Sequence, residues 1–177
     1  MICHRRQALI LGGGMLAALA PPALLRAAAM EVIEMRGSAR GEMVWFAPQG
    51  LLVEPGTVLR FVNHDPGNSH TSTAYDPAIL DRQRRIPVGA SPWDSDFLLP
   101  DQQFDVTLTV PGVYDFYCQP HEHAGMVGRI VVGRPDQNQG WQGAAPNSDD
   151  LPQEALAAFP KVEDILALGR VAAKEAT

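Results

Sequence analysis

Tyr117-Cys118-Gln119-Pro120-His121-Glu122-His123-Ala124-Gly125-Met126 sets a thiolate, an imidazole and a thioether within nine residues, with His121 three and Met126 eight positions after Cys118. A second imidazole, His70, stands far upstream in Asn68-Ser69-His70-Thr71, beyond a segment that reads as a strand. Two imidazoles, one thiolate and a weak thioether form the donor set of a mononuclear copper electron-transfer site. Cu(I) favours soft sulfur, whereas imidazole serves both oxidation states. Four protein donors also leave no open position for a substrate, which argues against a catalytic metal.

Working outward, residues 1–29 read as an export signal. His4-Arg5-Arg6-Gln7 gives a positive start, Ala8 to Ala20 a short apolar run interrupted by Gly12, Gly13 and Gly14, Pro21-Pro22 a break, and Ala27-Ala28-Ala29 small residues for cleavage. The run is too short to cross a bilayer as a helix. Paired arginines before a modest apolar stretch resemble a twin-arginine signal, with the Sec route as the alternative, and predict a periplasmic protein. Cys3 leaves with the leader. Cys118 is then the single mature cysteine, no intramolecular disulfide can form, and a bound metal would shield an otherwise exposed liability in an oxidising compartment.

Three of the 14 basic residues (Arg5, Arg6 and Arg26) lie in the leader, which holds no acidic residue, so Met30–Thr177 carries 20 acids and a formal charge of −9. That balance disfavours nucleic acid and anionic membranes and suits docking to a basic face. The mature chain is one domain's length, and a monomer is expected.

From Glu31 to Gly133 short strands alternate with Pro/Gly turns. Thr57–Asn63 follows the turn Glu54-Pro55-Gly56; Phe104, Val106, Leu108 and Val110 alternate with polar residues; Pro111-Gly112 leads into Val113–Cys118; a last strand runs from Met126 to Val132. Glu31–Arg36 and Met43–Phe46 supply further strands. Strands without intervening helices predict an all-β fold, an antiparallel sandwich or Greek-key barrel spanning 30–133. Tyr75–Pro100 is a long irregular connection, either a surface excursion pinned by Trp93 or a docking surface carrying Arg82-Gln83-Arg84-Arg85. Residues 134–177 read as a linker, Arg134–Asp150, followed by helices over Pro152–Phe159 and Lys161–Ala173, whose Val162, Ile165, Leu166 and Gly169 share a face.

Between Met43 and Val132 the chain resembles a cupredoxin of the plastocyanin and pseudoazurin kind. The matching stretches are Val53-Glu54-Pro55-Gly56-Thr57, Phe61-Val62-Asn63, His70, and Tyr117-Cys118-Gln119-Pro120-His121 through Gly125-Met126-Val127-Gly128. The resemblance implies one type 1 copper held by His70, Cys118, His121 and Met126. His123 would suit an azurin-like loop, but such a loop wants Met where Val127 stands, and an amicyanin-like loop wants Met where Ala124 stands. His123 therefore reads as an exposed neighbour of the site, His64, next to Asn63 and Asp65 in a turn, as a surface or loop residue, and Met35 and Met43 as strand packing.

The resemblance also implies that His121 lies near the surface with a ring edge in an apolar patch. Tyr117 matches the aromatic that flanks an acidic docking region in plant-type plastocyanins, though packing is the simpler reading. Thr71 departs from the family pattern, in which an Asn after the first His ties the two ligand loops.

The expected function is periplasmic electron transfer between a redox donor and acceptor, without enzymatic activity. A copper storage or delivery module is the alternative. No Met- or His-rich exchange cluster and no second Cys-His tract is visible, so delivery and multicopper-oxidase readings are less well supported.

Overall fold

Among the described residues nine strands and two short α-helices follow in order: β1 (Met30–Gly37), β2 (Val44–Ala47), β3 (Gly50–Val53), β4 (Thr57–Asn63), β5 (Thr73–Ala74), β6 (Gln103–Leu108), β7 (Gly112–Tyr117), β8 (Val127–Val132), α1 (Gln153–Ala158), α2 (Val162–Leu168) and β9 (Arg170–Val171). The computed structural model describes residues 29–173. The export-signal reading, Cys3 included, lies outside the described part except for Ala29.

The strands form two sheets that face each other, β2-β1-β4-β6 and β5-β7-β8-β3-β9. The expected sandwich is present, with no closed barrel, but its sheets are not purely antiparallel. β1 pairs parallel with β4, and β3 parallel with β8. The reason lies in the connection: β2 runs on through Pro48-Gln49 into β3 of the other sheet, and one turn at Glu54-Pro55-Gly56 sends β4 back beside β1 in the same direction.

Period-two patterning places the core. In β4, Thr57, Leu59, Phe61 and Asn63 are buried while Val58, Arg60 and Val62 are half-buried. β6 is half-exposed, as its alternation predicts. β7 and β8 are buried at every position, because the C-terminal segment covers their outer face. Phe46, Phe61 and Phe116 pack edge to face in the centre, with ring centroids 4.7 to 6.3 Å apart. A side chain at Gly128 would overlap the Phe116 ring, so glycine there lets β8 close against the aromatic cluster.

The C-terminal segment departs from expectation in one respect. The second helix ends at Leu168, not Ala173. Gly169 takes φ +76° and returns its N–H to the Ile165 carbonyl, and Arg170–Val171 then pairs with β3 as an edge strand. Ile165 is buried against Gly50, where a Cβ would overlap it.

The stretch 134–150 is irregular yet packed. The Gln142 carbonyl accepts from Val113 N–H at 2.9 Å, and its side chain bridges the Val88 backbone. In the 75–100 connection the buried Trp93 donates its indole N–H to Ser72 Oγ at 3.0 Å, acting as the expected pin. Its basic cluster is paired: Arg82 with Glu122 and Asp150, the exposed Arg84 with Asp76, and the buried Arg85 with Asp115.

Candidate metal centre

At one end of the sandwich two segments distant in sequence converge. His70 sits in the loop after β4, held by a two-bond bridge with Leu98: its N–H donates to the Leu98 carbonyl (3.1 Å) and its carbonyl accepts in return (2.8 Å). Cys118 follows the last residue of β7. His121 belongs to the short 3-10 turn Gln119–Ala124, which Gly125 closes in a left-handed conformation, φ +76°. His121 N–H bonds to the Cys118 carbonyl (3.1 Å), Met126 N–H to the His121 carbonyl (3.1 Å), and Cys118 N–H to the Met126 carbonyl (3.0 Å). The loop that spaces Cys118, His121 and Met126 is thus cross-braced by its own backbone.

His70 Nδ1, Cys118 Sγ and His121 Nδ1 form the one such cluster among the described residues, all within 4.8 Å of one another. The separations are 3.6 Å from Sγ to His70, 3.4 Å from Sγ to His121 and 3.2 Å between the two nitrogens. Met126 is fully buried in the same core as Cys118. Of the four residues singled out from sequence, three meet directly and the fourth is tied to two of them through the backbone. His123 and His64 are exposed and outside the cluster. Met35 is core, as expected, but Met43, just before β2, is exposed, although its carbonyl still accepts the Ser38 N–H at 2.8 Å.

Burial sets the protonation of the three groups. Burial pushes the Cys118 thiol up to about 11, against the opposing Thr71 N–H bond at 3.3 Å. Burial likewise lowers the His70 pKa, although Asp65 pulls it up, and lowers that of His121, assisted by repulsion from His70. All three groups are therefore driven toward neutral forms whose lone pairs face each other. A carboxylate can only accept, so the 3.0 Å contact between His70 Nε2 and Asp65 Oδ2 puts the proton on Nε2 and leaves Nδ1 free as a donor atom. A soft divalent or monovalent metal would stabilise the thiolate and satisfy all three donors. The residues fit copper.

The substitution at Thr71 is answered by the structure. Thr71 Oγ1 accepts the Gln119 N–H at 2.9 Å and so ties the two donor loops itself. Gln119 adds side-chain bonds to Thr73 Oγ1 (3.2 Å) and Asp94 Oδ2 (2.7 Å).

Tyr117 is packing, as the simpler reading had it. It is 1% exposed, stacks on Tyr75 with centroids 4.3 Å apart, and lies under the Arg82 guanidinium. Leu151 and Ala155 belong to the same buried cluster. Sequence reasoning missed Asp65, Tyr75, Arg82 and Glu122, which support the site without carrying a metal-ligand spacing. The Asn63-His64-Asp65 turn was the only visible signal for Asp65.

A thiolate–imidazole cluster at the end of a two-sheet sandwich defines a soft-metal-binding β-protein. The family model described as copper binding proteins, plastocyanin/azurin family, matches residues 33–133, and the chain belongs to that family. The chloroplastic plastocyanin of Oryza sativa subsp. indica is 34% identical over 120 residues, covering 68% of this chain and 75% of the relative. That of Hordeum vulgare is 32% identical over 115 residues, covering 65% and 72%. Among solved structures, pseudoazurin from Methylobacterium extorquens AM1 is 26% identical, with a TM-score of 0.50 over 72% of this chain and 94% of that one. A Sinorhizobium pseudoazurin gives 0.51 at 26% identity, over 79% and 98%. The chain is a cupredoxin, and its family's metal is copper.

Proposed function

We propose that this chain is an exported one-electron carrier in which His70, Cys118, His121 and Met126 hold one copper ion. The observation that carries the reading is the convergence of His70 Nδ1, Cys118 Sγ and His121 Nδ1 at 3.2 to 3.6 Å in a buried site. Copper in such a donor set supplies a one-electron Cu(I)/Cu(II) couple.

What the protein contributes is rigidity and access. His70, Cys118 and Met126 are fully buried and His121 is half-buried, so the His121 edge is the short way in. Beside it Pro120, His123 and Ala124 are exposed, and across the His70–Leu98 bridge so are Phe97 and Leu99. An apolar contact there, with a mature charge of −9, suits redox partners that bring a basic face. The Arg-pair leader supports a periplasmic location by the twin-arginine route, and no helix among the described residues is long and apolar enough to cross a membrane.

Burial of three donors disfavours storage or delivery, which needs metal that exchanges. Repeated reduction and reoxidation of the copper protein in the presence of a Cu(I) chelator tests this. A reversible one-electron wave with copper retained is expected; loss of copper to the chelator on the first reduction would favour delivery instead.

A further inference from the structure

We propose that Asp65 is a positioning residue for the first imidazole donor, fixing the Nε2–H tautomer of His70 and, through its buried charge, holding the bound copper at a lower reduction potential. This rests on the reading of His70 as a ligand and goes beyond it.

Asp65 and His70 are 1% and 0% exposed. Asp65 Oδ2 contacts His70 Nε2 at 3.0 Å and accepts from Asn68 Nδ2 at 2.9 Å, while Oδ1 accepts the Gly67 N–H at 2.9 Å. Three N–H groups on two oxygens need a carboxylate, because an amide would present its own NH₂ to one set of donors. The carboxylate is held in place from behind. Asp65 N–H donates to Asn63 Oδ1 at 2.8 Å, and Asn63 Nδ2 in turn bonds the carbonyls of Asn68 and Leu98, both at 2.9 Å. Leu98 is the residue that bridges His70. One network therefore fixes both the imidazole's backbone and its ring.

The seat is cut into the neighbouring strand. Any Cβ at Gly37, the last residue of β1, would overlap Asp65 Oδ2 and both other carboxyl atoms. A turn needing only the Gly67 bond would not require that space. The extra room serves the oxygen that faces His70.

A carboxylate on the far nitrogen of a ligating His raises the basicity of the donor nitrogen, and losing such a partner typically costs about 10–100-fold in metal affinity. The negative charge favours the more positive oxidation state, so the loss falls mainly on Cu(II).

The test uses the copper-loaded mature protein and two variants. Asp65→Asn keeps the size and removes the charge; Gly37→Ala keeps the Asp and pushes its carboxylate off the seat. Both should keep the thiolate-to-copper colour while the Cu(II)-over-Cu(I) preference falls about tenfold, a potential rise of about 59 mV. Nitrogen NMR of the metal-free wild-type protein should show His70 protonated at Nε2 in slow exchange with water, which reads the contact without copper. Blue variants at the wild-type potential, or an Nδ1–H tautomer, would overturn the role of Asp65 alone. A wild-type protein that binds copper without the thiolate band would overturn the site reading and this inference with it.

Discussion

Arg82 reaches from the long connection to grip Glu122, the residue after the His121 donor, through bonds of 3.0 Å from Nη1 and 2.7 Å from Nη2. Tyr75 donates its hydroxyl to the same carboxylate at 2.7 Å, and the guanidinium lies over both the Tyr75 and Tyr117 rings. The donor loop is thus clamped from outside the family's core strands, by a segment that sequence alone could describe only as irregular.

Arg82→Ala leaves the 8%-exposed Glu122 side chain without its charge partner. Removing one member of a buried pair costs about 3–5 kcal/mol; because Arg82 is itself partly exposed, the lower end applies. Denaturant unfolding of the metal-free protein checks this, and a loss under about 0.5 kcal/mol would remove the clamp from the account.

Thr71→Val keeps the shape but leaves the Gln119 N–H without its acceptor, at a cost of about 1–3 kcal/mol. The Thr71 main-chain N–H still reaches Cys118 Sγ, so the copper colour should persist while stability falls. Thr71→Ser should recover most of the loss. The readouts are the unfolding midpoint and the visible spectrum of each variant.

Asp150 ties the 134–150 stretch to the long connection, accepting from Gln83 N–H at 2.8 Å and Arg82 Nε at 3.3 Å. The Gln83 bond chiefly, then Arg82, hold its pKa below the ordinary carboxylate value of 3.8 despite some burial. A depressed folded-state pKa gives stability that is present above the unfolded value and lost as pH falls through the folded one. The stability gap between wild type and Asp150→Asn should therefore be constant near neutrality and shrink below about pH 4. A gap that does not change down to pH 2.5 would contradict the assignment.

Met126 is buried and bonded through its backbone to His121 and Cys118, so its side chain can change without opening the loop. Met126→Leu should retain copper and raise the reduction potential, since a weak donor to Cu(II) is lost. Voltammetry and copper content decide it; a large loss of copper would make Met126 more than a weak donor.

Much of this was legible in local pattern. Thr57–Asn63 reads as a strand from its alternation and the preceding Pro-Gly turn, and β4 has those bounds. The candidate donor residues were legible because few chemistries explain Cys, His and Met at that spacing beside a distant His. What escaped has no local signature. β9 exists because Gly169 stops a helix and the edge of β3 stands open, a relation across 120 positions. Arg85 looked like one of a run of surface cations, yet it is fully buried with its Nε 2.9 Å from Asp115 Oδ2, while Arg129 pairs with the same carboxylate. Charge in a run does not reveal which member turns inward.

The most direct measurement is the visible and electron paramagnetic resonance spectrum of the mature protein and its Cys118→Ser variant, each with one equivalent of Cu(II). The wild type should show an intense thiolate-to-copper band with narrow copper hyperfine splitting, and the variant should lose the band. A pale, ordinary Cu(II) spectrum for the wild type, or an unchanged band in the variant, would contradict a copper site built on Cys118.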